Sequence, residues 1–243
     1  MKRMTAFSVR VAKETLRDPV TLIFGVGLPV ALLVLMSIIQ RSAPVEIFAI
    51  SRLAPGMAAF SLAFVALFAA ILLAKDKSTS FLLRVFASPM RPWEYIMGYA
   101  LPMLPIGAAQ CLICFIAALC FGLPFSGRLF LALIALLPAA AVYIAFGLLF
   151  GVVLTDKQAA PVSSILVQCA ALLGSIWFDP ALIGGAFETV CKALPFLHAS
   201  GAAASAIAGD GTGVLRHVLW LIGWAAVLFA AAVFLFKKKM KDN

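Results

Sequence analysis

Six apolar stretches without a charged residue, 20–40, 53–74, 95–121, 129–154, 158–178 and 218–236, make up most of this chain. A helix needs about 20 residues to cross the roughly 30 Å hydrocarbon core of a bilayer, and each stretch reaches that length to within a residue or so. Lipid offers no partner to backbone N–H and C=O groups, so such stretches must fold as helices. The expected fold class is an all-α membrane protein with six transmembrane helices. Composition agrees, at 64% hydrophobic and 12% charged with a mean hydropathy of +1.10. Soluble domains sit near 45–50% and about 25%. Six spans and short connections use up 243 residues, so 1–243 is expected to be a single domain. Spans free of charge argue against a proton relay or an ion ladder.

The net charge of +9 does not point to nucleic acid, because the cations gather at the ends of the spans. Of the 19 lysines and arginines, 14 fall on the side that carries both termini and 5 on the other. The positive-inside rule then places both termini in the cytoplasm of a cell (inner) membrane protein. The first apolar stretch is too long for a cleavable signal, and no small-residue cleavage site follows it. Four of the five cysteines, Cys111, Cys114, Cys120 and Cys169, lie inside expected spans, so no disulfide framework is expected. Cys111 and Cys114 form a CxxC without histidines nearby, which reads as packing rather than metal binding.

Three connecting segments carry more information. In 1–19, Met4, Phe7, Val11 and Thr15 share one helical face, opposite Arg3, Arg10, Lys13, Glu14 and Arg17. This reads as an interfacial helix lying in the membrane plane, ended by Asp18-Pro19; the alternative is a charged tail that only sets topology. In the cytoplasmic loop 75–94, Phe81, Leu82, Val85 and Phe86 keep helical spacing and Ser88-Pro89 ends the pattern. Such a short amphipathic helix either docks in another protein's groove or lies on the membrane. The external segment 179–216 is mostly apolar or small, with breaks at Pro180, Gly184-Gly185, Pro195 and Gly201. It reads as a re-entrant hairpin of short helices, or else as an irregular loop.

Several chemistries have no residues to support them. There is no GxxxxGK[ST] for phosphate, no HExxH, and neither His198 nor His217 has a metal-ligand partner at useful spacing. Ser163-Ser164 lacks a nearby activating base. Catalytic and metal-binding residues are therefore not expected, and the chain is not expected to be an enzyme. Gln110 and Gln168 lie near the middle of the third and fifth spans, where each either bridges helices or contacts a substrate. Gly147-x-x-x-Gly151 in the fourth span permits close approach of another helix.

Four features together resemble the membrane (permease) subunit of a type-2 ABC exporter, the drug, lipid and polymer export class. They are the basic amphipathic start ending Leu16-Arg17-Asp18-Pro19, the loop ending Arg84-Val85-Phe86-Ala87-Ser88-Pro89-Met90-Arg91, the run Gly174-Ser175-Ile176-Trp177-Phe178 followed by Leu182 and Leu194-Pro195, and the basic tail after the sixth span. Where loops of that family often read Gly-Thr-x-Glu before the arginine, this chain has Ser80-Phe81-Leu82-Leu83. The resemblance implies a coupling helix over 76–91, with Phe81, Arg84, Phe86, Ser88, Pro89 and Arg91 at the contact with an ATPase. It implies a dimer, with itself or a related permease, and ABC ATPase subunits supplied in trans. No cofactor is expected on this chain; ATP and Mg belong to the partner. By resemblance the second and fifth spans face the pathway, which suggests Phe60, Phe64, Phe68, Gln168 and Phe178 as its lining, with Pro180, Gly184, Gly185 and Pro195 shaping an external cap. The apolar lining suits export of a hydrophobic or amphipathic cargo such as a drug, an antimicrobial peptide or a lipid-like molecule. The rival reading is a non-transporting membrane sensor or assembly factor, which would need no ATPase.

Overall fold

The computed structural model describes residues 2–19, 23–42, 49–79 and 91–242. All regular structure among them is helical. Helix α1 is Lys2–Arg17; a π-helical turn, Ile23–Gly27, runs into α2, Leu28–Ser42; α3 is Ile50–Ser78 and α4 is Pro92–Cys120. Then come α5, Gly127–Val153, α6, Asp156–Leu173, α7, Pro180–Ile183, α8, Gly185–Ala193, α9, Pro195–Ala208, and α10, Gly211–Asp242.

Five of these segments are long and apolar enough to cross a membrane: 23–42, α3, α4, α5 and 211–240 of α10. The pair α8 and α9, bent by 76° at Leu194, passes the same test taken together, as a broken span or a re-entrant loop. Helix α6 does not join this set. Its 18 residues begin Asp156-Lys157-Gln158, and it ends at Leu173 rather than running on to Phe178. Gly174 caps it, Ser175 turns the chain at φ 54°, and the Ser200 hydroxyl donates to the Gly174 carbonyl.

Helix α3 is the centre of the bundle. Its apolar window is 78% buried, against 22% for the first span and for α10. It packs on α2, α4, α5, α6 and α9. Alanines at 54, 58, 59, 63, 66, 69, 70 and 74 keep it thin enough for neighbours on every side. The closest neighbour is α5. A Cβ at Gly147 would lie 2.3 Å from the Ala66 carbonyl oxygen, and one at Gly151 would lie 2.7 Å from the Leu73 Cβ. The GxxxG stripe is thus occupied within the chain, by α3. Helices α4 and α5 continue through Pro102, Pro105 and Pro138.

Helix α1 lays Phe7, Val11 and Thr15 against α4. Gly98 makes room, since a Cβ there would meet the Phe7 ring at 2.4 Å. The apolar face of α1 is therefore covered by protein, while Val9 and Leu16 on other faces stay exposed.

Candidate functional site

One end of the bundle carries α1, the last turn of α3, the first turn of α4 and the lysines of α10; we call it the basic end. Of the residues suggested for coupling, Phe81, Arg84, Phe86, Ser88 and Pro89 lie outside the described residues. Arg91 is exposed and starts α4: its backbone N–H donates to Glu94 Oε2 at 2.8 Å, and Pro92 follows in the first turn. The flanks of this segment are tied firmly.

On the α3 side, Asp76 is 4% exposed and belongs to the helix, not to the loop that the sequence placed from residue 75. The Tyr99 hydroxyl and Arg10 Nη2 both donate to it, the latter at 3.1 Å. Arg10 also reaches Glu14 at 3.1 Å. Burial works against the Arg10 charge, yet Asp76 and then Glu14 outweigh it and hold the guanidinium above its ordinary pKa. Tyr95 and Tyr99 hydroxyls lie 3.2 Å apart. The Phe7 ring stacks on Tyr95 at 5.3 Å, and Tyr95 stacks on Phe236 at 4.5 Å. One cluster therefore joins α1, α3, α4 and α10.

The next residue, Lys77, reaches across to the end of α5. Its ammonium donates to the carbonyls of Gly151, Val152 and Leu154 at 2.9, 2.8 and 2.5 Å. Lys239 of α10 donates to Val152 and Val153 at 2.8 and 3.2 Å. The last carbonyls of a helix lack intrahelical donors and carry partial negative charge, which two cations here satisfy. Sequence reading missed this arrangement. Its signal was an acid and a lysine at the very end of an apolar run, with two tyrosines four residues apart opening the next.

A cleft of about 860 Å³ opens between α1 and the basic end of α3. Phe68, Ile71 and Leu72 of α3 form its apolar wall, and Lys13, Arg17 and Lys75 are among its polar lining.

The suggested pathway residues do not gather in one place. Phe60 and Phe64 are buried, 6% and 7% exposed, and meet edge to face at 5.4 Å inside the bundle. Phe68 reaches the cleft. Gln168 is exposed on α6, and Phe178 lines a second, smaller cavity of about 150 Å³ at the opposite end, with Trp177, Arg52 and Leu197. Gln110, by contrast, is 2% exposed. A Cβ at Gly25 of the π-turn would lie 2.5 Å from its amide nitrogen, and its Oε1 has no hydrogen-bond partner.

The suggested cap residues all mark breaks. Pro180 opens α7 behind Asp179, whose carboxylate accepts from the Ala181 N–H at 3.1 Å and pairs with Arg52 at 3.4 Å. Gly184 and Gly185 both have positive φ, 67° and 60°, which glycine adopts without steric cost. Pro195 opens α9, which packs against α3, α5 and α10. The bend at Leu194 is held by Trp220 and Trp224, whose indole N–H groups both donate to the Ala193 carbonyl at 3.3 and 3.2 Å. His198 and His217, 19 residues apart, meet Nδ1 to Nδ1 at 2.8 Å. Because His198 Nε2 faces the Lys192 carbonyl at 2.9 Å, that nitrogen carries the proton and His217 Nδ1 is the donor in the neutral pair. Beyond α9, Asp210 is held below the usual carboxylate range by the Gly213 N–H and then the Thr212 hydroxyl.

Compared with known proteins, residues 3–207 match the sequence profile of the family described as ABC-2 type transporter. No curated protein matches the chain.

Proposed function

The chain belongs to the ABC-2 type transporter family and is a multi-pass membrane transport domain, and from this premise we propose that it is the permease subunit of an ATP-driven exporter. Two such subunits would form the translocation unit, with ATPase subunits supplied in trans at the basic end. Both termini and the segment 80–90 would then face the cytoplasm, in line with the distribution of lysine and arginine.

The anchoring of both flanks of 80–90 is the observation that carries this reading. Asp76 and Lys77 tie the end of α3 to α1, α4 and α5, while Tyr95 and Tyr99 tie the start of α4 into the same cluster. A push delivered to 80–90 by an ATPase would move α3, α4 and α5 together. Since α3 contacts most of the bundle, its displacement would reach α6 and α9. The bent α8–α9 pair would act as an external cap, opening as α9 follows α3. Phe68, Gln168 and Phe178 would border the route, with Phe60 and Phe64 supporting it from behind. Apolar and aromatic borders favour a hydrophobic or amphipathic cargo.

Copurification with the cognate P-loop ATPase, combined with Phe86→Asp, tests the proposal. The aspartate would place an unpaired charge in the docking contact. We expect a folded, membrane-inserted variant that retains less than a tenth of export and loses the ATPase on purification. Normal export with a normal ATPase yield would refute the coupling assignment.

A further inference from the structure

We propose that the cleft between α1 and α3 binds one anionic phospholipid-type amphiphile from the leaflet at the basic end. The cleft is about 860 Å³, within the ordinary range of ligand sites. Its apolar wall runs along α3 from Phe68 to Leu72, and Lys75 lines it further toward the basic end. Lys75 lies seven positions further along the helix than Phe68, a distance of about 10 Å. That distance spans the headgroup level and the first part of the acyl region. Lys75 follows directly on the apolar run 53–74, so it marks the membrane boundary.

The charges make the occupant anionic. Lys13, Arg17 and Lys75 line the cleft, are exposed, and form no ion pair among the described residues. Arg10 also lines it but is committed to Asp76 and Glu14. The acids on the wall are Glu14, which Arg10 neutralises, and Asp18, so four cations face two carboxylates. A soluble phosphate would satisfy the cations but leave the apolar wall in water. A zwitterionic lipid would cover the wall but leave the excess positive charge unmatched. An anionic lipid does both. The site shares Phe68 with the proposed cargo route but does not depend on the ATPase proposed above.

The full chain reconstituted in nanodiscs of equal phosphatidylglycerol and phosphatidylcholine, then released and analysed by native mass spectrometry, tests this. One phosphatidylglycerol per chain should survive release in preference to phosphatidylcholine. Combined Lys13→Gln, Arg17→Gln and Lys75→Gln should erase the preference, by roughly fivefold for each cation removed. Ile71→Trp, which fills the apolar wall, should remove the bound lipid whatever its headgroup. Thermal melting of each variant checks that it is folded, and a lipid loss counts only in a folded variant. Equal retention of the two lipids by the wild type, or unchanged retention in both folded variants, would overturn the site. Displacement of the lipid by millimolar glycerol phosphate would overturn its assignment to a lipid.

Discussion

Replacing Asp76 with asparagine would leave Tyr99 an acceptor but strip Arg10 of its main counter-charge. Breaking a fully buried pair by removing one partner costs about 3–5 kcal/mol. The Arg10 side chain is 38% exposed and can rehydrate, so we expect about 1–3 kcal/mol here. Tyr99→Phe keeps the ring contacts and removes one hydrogen bond, worth about 1 kcal/mol. The two effects should not add, because both variants disturb the same carboxylate. Thermal unfolding of the purified chain in detergent measures this; an Asp76→Asn melting curve identical to wild type would show that the cluster does not stabilise the fold. Residues with no local signal behave in the same way at the other end. His198 and His217 look isolated in the sequence and become partners only when α9 and α10 pack.

At the scale of elements, the contact between α3 and α5 governs the bundle. It depends on glycine, because the Ala66 carbonyl occupies the space that any side chain at position 147 would need. Gly147→Val should force the helices apart and cost at least the 1–3 kcal/mol typical of overpacking. Gly223→Ala in α10 provides the matched control. Nothing lies within 4 Å of a Cβ there, so the change should be neutral or mildly stabilising through helix propensity. Monodispersity on size exclusion, read for both variants, distinguishes a packing requirement from a general intolerance of larger residues in apolar helices. Helix α6 shows the opposite case, an element ended by its surroundings. The stretch 158–178 carries no charged residue, yet the helix stops at Leu173, where Gly174 caps it and Ser200 of α9 binds the Gly174 carbonyl. No property internal to that stretch announces a partner from α9.

For the whole molecule, the proposed arrangement puts Arg91 and Asp210 on opposite sides of the membrane. Both are exposed, Arg91 at the start of α4 and Asp210 in the turn before α10. Single cysteines introduced at 91 and 210 in a cysteine-free background should label differently. An impermeant reagent added outside intact cells should reach position 210 and miss position 91. Labelling of both from the same side would break the topology, and with it the docking of an ATPase at the basic end.

What local chemistry dictates was legible in the chain. Charge-free apolar runs had to become helices because lipid leaves the backbone no other partner, and five of the expected spans correspond to long helices. Gly184-Gly185 and Pro195 mark breaks because φ restriction belongs to those residues themselves. The apolar face of α1 was likewise visible, though not what it packs against. Burial is different in kind. Helices α3, α4 and α5 are apolar on all sides, so periodicity cannot tell a face toward protein from one toward lipid. Only packing decided that α3 is central, that Phe60 and Phe64 turn inward, that Gly147 and Gly151 meet α3, and that Asp76 leaves the loop to bind Arg10 and Tyr99. Each of these depends on atoms far away in the chain, whose approach is set by the mutual fit of whole helices rather than by any nearby residue.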